Sequence, residues 1–587
     1  MSGAIDTSRI ARGALLLSAL LVFSGASVSA RSLQEEVTRT FDKSLTLGAG
    51  QSLRIEHRYG AITIHTQPSR QVHISANIRV AMDTHDQAQR FSDGIVIDVE
   101  QNSLGISLLT KYPDENFHFS GGRHTVSFSV DYDITMPEDA PLTIRTAFGD
   151  VDVAGLKAAA DITNRNAKIE FRDSRGNQRL ESAFGSIELI NNAGDADVTD
   201  GNANVHIADL GGILTLHNRF GQVSAERIAK SATIVNSNGG VTLTTSGGPA
   251  SITNSFGSVN ATDIKGDLYV HNQNGAVDVR SVTGEADLNT TFASLNFDTV
   301  AKKVICTSSN GRITGIHAGL GVTVRDTFGA IDLSDAGGPV EVDDSNGGVT
   351  LRDIRGGAQI KTSFGTIDAS GISGDVTASD SNGAIRLSRI AGAVDTRGSF
   401  GGMEMSDIHR GVRVVTGNSS VTLTGIGGET YVKTSFGLVR AERIAGALTV
   451  ENSNGGVRAS GVQGAATITT SFGPVLLDGV GGAISVDNQN GAVQVSGVSA
   501  HTAASKCNPI SLRTTFSSMQ IYLPDGAAYD LSAHTSFNRI TSEFPVTTTG
   551  TLSGGDTITG TIGGGGCELR LNNGNGGISI LKGTGKV

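Results

Sequence analysis

The chain has 587 residues and a formal net charge of −11, with 18% charged residues spread along its length, which excludes the basic face that nucleic-acid binding needs. Seventy-seven Gly against ten Pro, no Trp and 5% aromatic residues do not suit an ordinary globular enzyme; they suit short stacked strands joined by tight turns.

Residues 1–30 read as a cleavable secretory signal peptide. Arg9 and Arg12 precede an apolar run from Gly13 to Phe23, and small residues follow, ending Val28-Ser29-Ala30, with cleavage expected after Ala30. The run is about half of the roughly 20 apolar residues a membrane span requires. No later segment is long and apolar enough to span a bilayer, so none is expected after cleavage. Without Arg9, Arg12 and Asp6 the mature chain carries −12 in place of −11.

Residues 31–147 are expected to form a β-rich N-terminal cap. Leu53-Arg54-Ile55 and Ala61-Ile62-Thr63-Ile64 alternate as half-buried strands do, and Asp83 to Phe91 suits one short helix. Residues 148–507 hold ten 36-residue repeats. Phe148, Phe184, Phe220, Phe256, Phe292, Phe328, Phe364, Phe400, Phe436 and Phe472 are each thirty-six apart. Midway stand Asn166, Asn202, Asn238, Asn274, Asn310, Asn346, Asn382, Asn418, Asn454 and Asn490. The unit is therefore an 18-residue coil whose marker alternates Phe and Asn.

With the marker as slot zero, slot one is Gly in sixteen of twenty coils, slot three is Val, Ile, Leu or Met in all twenty, slot eight is Ile, Leu or Val in fifteen, and slot fourteen is apolar in nineteen. Slots three and five, and again twelve and fourteen, alternate with polar residues, the period of two of strands with one buried face. No helix fits between turns so close. One coil cannot bury its few apolar side chains, whereas a stack can. The fold class expected is all-β: a single-stranded β-solenoid (β-helix) of about twenty 18-residue coils, at roughly 4.8 Å each a rod on the order of 90 Å long, with β-rich N-terminal and C-terminal caps. The ten Phe are expected to pack as interior filler along one edge, with an exposed aromatic rail as the alternative. The ten Asn are expected to supply turns or to bond the neighbouring coil.

After Asn490 the phase breaks, since Phe516 comes twenty-six residues later. Ser499 to Pro509 is read as an inserted loop, and residues 508–587 as a continuation of the solenoid with its own cap. An exported chain can close a disulfide between Cys507 and Cys567 with Cys306 in an apolar core slot, a pairing the sequence permits and does not require.

Tyr132-Asp133-Ile134-Thr135-Met136-Pro137 leading into Leu142-Thr143-Ile144-Arg145-Thr146, the recurrent Ser-Phe-Gly and Ser-Asn-Gly turns, and Gly576-Gly577-Ile578-Ser579-Ile580 resemble the bacterial "putative adhesin" family, a domain of unknown function with a β-solenoid fold. The likeness covers about residues 40–587. It implies surface attachment and brings no catalytic residues with it.

Solenoid enzymes wall a groove with long loops, and ten repeats without an insertion leave no walls. Asp343 and Asp344 fall on turn or outward slots, where solvated charge is the usual explanation. Calcium-binding repeats need an Asp at a fixed place in each turn, but two residues before the Asn marker only Asp200, Asp344 and Asp380 supply one. The thirteen His show no paired spacing. The Thr ladder before Phe (Thr290, Thr362, Thr434, Thr470) that an ice-binding face would need is interrupted by Asn218, Asn254, Asp326 and Gly398. No catalytic residue, cofactor or metal site is expected. The tail Gly-Thr-Gly-Lys-Val suits neither an export barrel nor a sorting signal. The expectation is an exported protein, periplasmic, surface-held or secreted, acting as an adhesin-like binder or envelope scaffold, with a glycan, an envelope component or a second copy as partner. A carbohydrate-active β-helix enzyme and a self-assembling filament protein are the rivals.

Overall fold

A computed structural model describes residues 35–113, 126–499, 508–547 and 557–583. The expected signal peptide, Cys507 and residues 500–507 of the expected insertion lie outside the described residues. The fold is an all-β solenoid. Each 18-residue coil contributes one strand to sheet A and one to sheet B, so each coil has two strand faces. In the Asn166 coil the sheet A strand is Ile169–Ser174 and the sheet B strand is Gln178–Ser182. Both pair in parallel with the strands eighteen residues before and after. Slots three and five of sheet A and slots twelve and fourteen of sheet B point inward, forming one apolar core that runs the length of the rod.

The inward residues of sheet A occupy slots three, five and eight, a step of three where a strand allows two. The cause is the backbone at slot seven, which is left-handed in all twenty coils, from Gly155 to Gly497. Fourteen of the twenty are not Gly, and they are all the non-Gly residues with positive φ among those described. Slot seven drops out of the pairing, Arg172 meeting Ile190 and Ser174 meeting Asn192. The kink turns slot eight back into the core. Asp and Asn tolerate this conformation, whereas Thr245, at φ 65°, does so at a cost because it is β-branched. Thr245→Gly is therefore expected to raise stability by about 0.5–1 kcal/mol despite the entropy of Gly, read as a higher thermal midpoint.

Both ends are built out of chain order. At the N-terminal end β1 (Glu35–Thr46), β2 (Ser52–Glu56), β3 (Ile62–Gln67), β4 (Gln71–Met82), α1 (His85–Gly94), β5 (Val96–Asn102), β6 (Gly105–Lys111) and β7 (Ser127–Pro137) follow in sequence. The β2–β3 coil lies directly on the Phe148 coil, with Tyr59 bridging to Phe148. The β6–β7 coil lies on β2–β3 in turn. Sheet A then ends in antiparallel β4 and β1, and sheet B in antiparallel β5. Helix α1 is capped by Thr84, whose side chain accepts from the Gln87 amide, and Arg39 of β1 donates to the carbonyls of Ser92 and Ile95 at its other end.

At the C-terminal end Ile484 pairs with Ile510 where a regular coil would pair it eighteen residues on. The chain runs through strands Ile510–Thr514 and Met519–Leu523 and skips a level to Tyr529–Thr535 and Ile540–Ser542. It then returns to fill the skipped level with Cys567–Asn573 and Ile578–Lys582. The last strands are short: Ile540–Ser542 closes sheet A, Val546–Thr547 closes sheet B, and charges alternate along edge strand β1. These are the usual means of blunting a sheet edge.

Candidate binding surface

The chain passes from sheet B to sheet A through the marker turn, and that turn places every marker on one edge of the rod. The ten Phe are not interior filler. They are 44% to 64% exposed, and Phe516 and Phe537, at 65% and 81%, extend the row. The corner of so tight a turn points outward, and its inside is already occupied by the side chain two residues earlier. That slot holds Asn164, Asp200, Asn236, Asn254, Asn272, Thr290, Thr362, Thr434 and their equivalents, all buried except Gly398, which has no side chain to place there. Asn236 Nδ2 donates to the Gly221 and Gly239 carbonyls, Asn254 to Gly239 and Gly257, and Asn272 to Gly257 and Gly275, so one polar ladder stitches turn to turn. The Thr residues considered for an ice face belong to this interior ladder. Truncating a buried Phe costs about 3–5 kcal/mol. Phe364→Ala, at 64% exposure, is expected to cost under about 1 kcal/mol, measured as the shift in denaturation midpoint.

The Asn markers serve the neighbouring coil. In eight of the ten, Asn166, Asn202, Asn238, Asn274, Asn310, Asn346, Asn382 and Asn490, Nδ2 donates to the carbonyl nineteen residues earlier, at 2.9–3.5 Å.

The outer face of sheet B carries a second feature. Three open clefts of about 400, 610 and 730 Å³ join into one trough, the middle-sized one sharing Glu285 with the smallest and Asp375 and Thr377 with the largest. Slot thirteen of thirteen successive coils, from Thr233 to Thr449, lines it, a length on the order of 60 Å. Small residues such as Gly321, Pro339, Gly357 and Gly411 keep its floor low. Seven carboxylates (Asp267, Glu285, Asp287, Glu341, Asp375, Asp395 and Glu429) line it against the two cations Lys303 and Arg413. Its two aromatics share slot thirteen: Tyr269 is 44% exposed, and Tyr431 lies under the Arg413 guanidinium at 4.7 Å with its hydroxyl donating to Glu451 at 3.1 Å. The sequence holds this signal as the aromatics in one outward slot, but which outward slots share a concave face is not visible before the sheets are formed.

Elsewhere polar groups are held for structure. Asp343 is exposed and pairs with Lys361 at 3.4 Å, but Asp344 is not the solvated charge expected. It is 3% exposed in the interior ladder, as are Asp200, Asp326 and Asp380 to similar degrees, and burial raises the carboxyl pKa of all four. In the cap, His57 Nδ1 lies 3.1 Å from both Thr110 Oγ1 and the Tyr112 hydroxyl, and Tyr132 closes the group through Thr110. Desolvation pushes His57 down to about 4, so the ring stays neutral and buried as part of the cap core. Cys306 is a free thiol at zero exposure with its pKa raised by burial, and Cys567 is disulfide-bonded; its expected partner Cys507 lies outside the described residues. Among the described residues, no three His, Cys, Asp or Glu side chains converge as a metal site would require. Among them, too, no helix is long and apolar enough to cross a membrane.

No model of a known protein family matches the chain, and no curated protein matches it. Among solved structures the chain is similar to one described as a "putative cell adhesion protein" from Clostridium sporogenes ATCC 15579, at 8% identity and a TM-score of 0.15, over 41% of this chain and 99% of that one.

Proposed function

We propose that the chain is an exported, non-enzymatic, adhesin-like rod that holds an extended polymer, a glycan of a cell envelope, along the sheet B trough. The observation that carries this reading is the trough itself, continuous over thirteen coils and lined by hydroxyl, carboxylate and tyrosine side chains in fixed rows. Tyr faces and hydroxyl rows suit the alternating apolar faces and hydroxyl rims of sugar rings. The excess of carboxylates sets the charge preference: neutral or amino-bearing glycans are favoured and polyanions repelled. The resemblance to the adhesin family points the same way. An enzyme would need an acid and a base sharing a water-excluding pocket, and the trough is open along its whole length. End-to-end filaments are disfavoured by the blunted edges at both ends of the rod.

The test is binding of the mature chain, residues 31–587, to arrays of neutral, amino and uronic-acid glycans, repeated with Tyr269→Ala and Tyr431→Ala combined. Saturable binding to neutral or amino glycans, weakened tenfold or more in the double variant, is expected. Binding that ignores the two substitutions would move the site elsewhere, and turnover of any glycan would end the non-enzymatic reading.

A further inference from the structure

We propose that two copies of this chain pair through their Phe edges as interdigitating combs, running antiparallel about a two-fold axis across the rod. The inference is independent of what lies in the trough.

The teeth are the twelve exposed Phe rings, one on every second coil, at a spacing of about 9.6 Å. The gaps are the Asn coils, where the side chain is folded back onto the coil beneath by its bond to the carbonyl nineteen residues earlier. Between its end coils, which carry Asp150, Arg165, Lys168 and Arg539 at the corner, the edge is also nearly cleared of charge. In the eighteen coils from Phe184 to Asn490, slots minus one to two comprise 72 residues, eighteen times four, of which only Arg219 and Arg312 are charged; the chain as a whole is 18% charged. Aromatic enrichment with charge depletion is the composition of the buried centre of a protein interface.

At the C-terminal end the alternation is kept in space even where the chain abandons it. Beyond the Asn490 coil the stacking order is Phe516, then Asn575, then Phe537, because the chain skips a level and returns to fill it with the Asn575 coil. Chain order alone would set Phe537 directly after Phe516. Sterics do not impose the gap either, since Tyr59 and Phe148, on adjacent coils, stack at 5.3 Å with their planes 9° apart. An aromatic on every coil is therefore feasible, and the open alternate rungs are a property of the surface.

A partner that fills those rungs must repeat every two coils. A second copy does so without drift along the whole rail, whereas the repeat of a sugar chain is not tied to the coil rise. A ring inserted at an Asn level would have rings of the other copy roughly 4.8 Å above and below, close to the separation of the Tyr59–Phe148 pair and within the range of stacked aromatics. Symmetry selects the direction. A two-fold along the rod sets Phe against Phe at the same level, while a two-fold across it can set every ring against a gap and close the assembly as a dimer. Twelve rings, 44% to 81% exposed, offer on the order of 1,000 Å² per copy, against about 800 Å² per partner in a standard stable interface.

The experiment is sedimentation equilibrium of the oxidised mature chain, residues 31–587, beside two variants. Phe292→Ser, Phe328→Ser, Phe364→Ser and Phe400→Ser together remove teeth, and Asn310→Phe with Asn346→Phe fills gaps. Circular dichroism and thermal midpoint confirm that each variant is folded; should the four-Ser variant fail to fold, the gap-filled variant decides. The wild type is expected to be a dimer, with association weakened a hundredfold or more in both variants. A wild type that is monomeric at high micromolar concentration overturns the proposal, whether or not a glycan then binds the Phe edge. A dimer strengthened by filling the gaps also overturns it, since unspecific apolar association would gain from extra rings while a comb would lose.

Discussion

Gly315→Leu is expected to destabilise the rod by about 3 kcal/mol, and Phe297→Ala by about 3–5 kcal/mol, while the two together cost less than either alone. The slot-five row of sheet A is built mostly of Leu, Ala and Val, but Phe297 is stacked in register on Gly315 of the next coil. A Cβ placed on Gly315 would fall 2.0 Å from Phe297 Cζ, and the ring, 3% exposed, has no solvent to swing into. The ring thus occupies space that belongs to the next coil elsewhere in the row. Ala at 297 under Leu at 315 would reproduce the Ala369–Leu387 step found two repeats on, where the same pair of slots is fully buried. Urea denaturation of the two single variants and the double measures the coupling. Additive losses would mean that the coils relax independently and that the core is not shared between them.

Asp326→Asn and Asp344→Asn combined are expected to stabilise the protein by about 2–4 kcal/mol at pH 7, about 1–2 kcal/mol for each site. The two carboxyls lie in adjacent coils, 6% and 3% exposed. Each accepts the amide three residues on, from Gly329 and Gly347, and each has a second oxygen without a partner. Two Asn at this slot satisfy both ends of the side chain. Asn452 and Asn488 accept the same amide through Oδ1 and donate Nδ2 to the glycine carbonyl of the coil beneath at 2.9 Å. Desolvation raises both Asp pKa values, and at Asp344 the neighbouring Asp326 raises it further. The folded state therefore holds these protons to higher pH than the unfolded chain, whose Asp titrates near 3.9. Their contribution is fully present below that value and is lost as pH rises through the raised folded pKa. The advantage of the double variant is largest at neutral pH and shrinks toward pH 4, measured as denaturation midpoints at both. An equal gain at the two pH values would assign the effect to packing alone.

The interior ladder also shows what sequence reading passes over. The slot two residues before the marker varies among Asn, Asp, Thr, Ser and Gly, and a varying polar slot resembles a solvated one. Only the closed turn shows that side chains as different as Asn272, Thr290, Asp344 and Asn452 serve the turn's backbone carbonyls and amides from inside. The Phe markers misled in the opposite sense: an invariant large apolar residue resembles core, but in a turn with Gly at its next position the corner faces outward and the interior is filled from two residues earlier. Asp344 belongs to the interior for the same reason, although it is adjacent in sequence to the exposed Asp343, because successive side chains fall on opposite sides of the strand.

The sequence by itself determined the all-β class, the 18-residue coil, the inward slots and the short helix of the cap, because repetition at constant spacing leaves each coil only its neighbours to pack against. It also placed the break after Asn490. Only the tertiary structure decided that each coil has two strand faces with a left-handed kink at slot seven, and that the coils at both ends are stacked out of chain order. Only it decided that the Phe row is a surface and the Asn, Asp and Thr row an interior. These follow from pairings between residues eighteen to more than eighty apart, and from which side of a closed turn a side chain occupies, neither of which the local pattern of apolar and polar residues encodes.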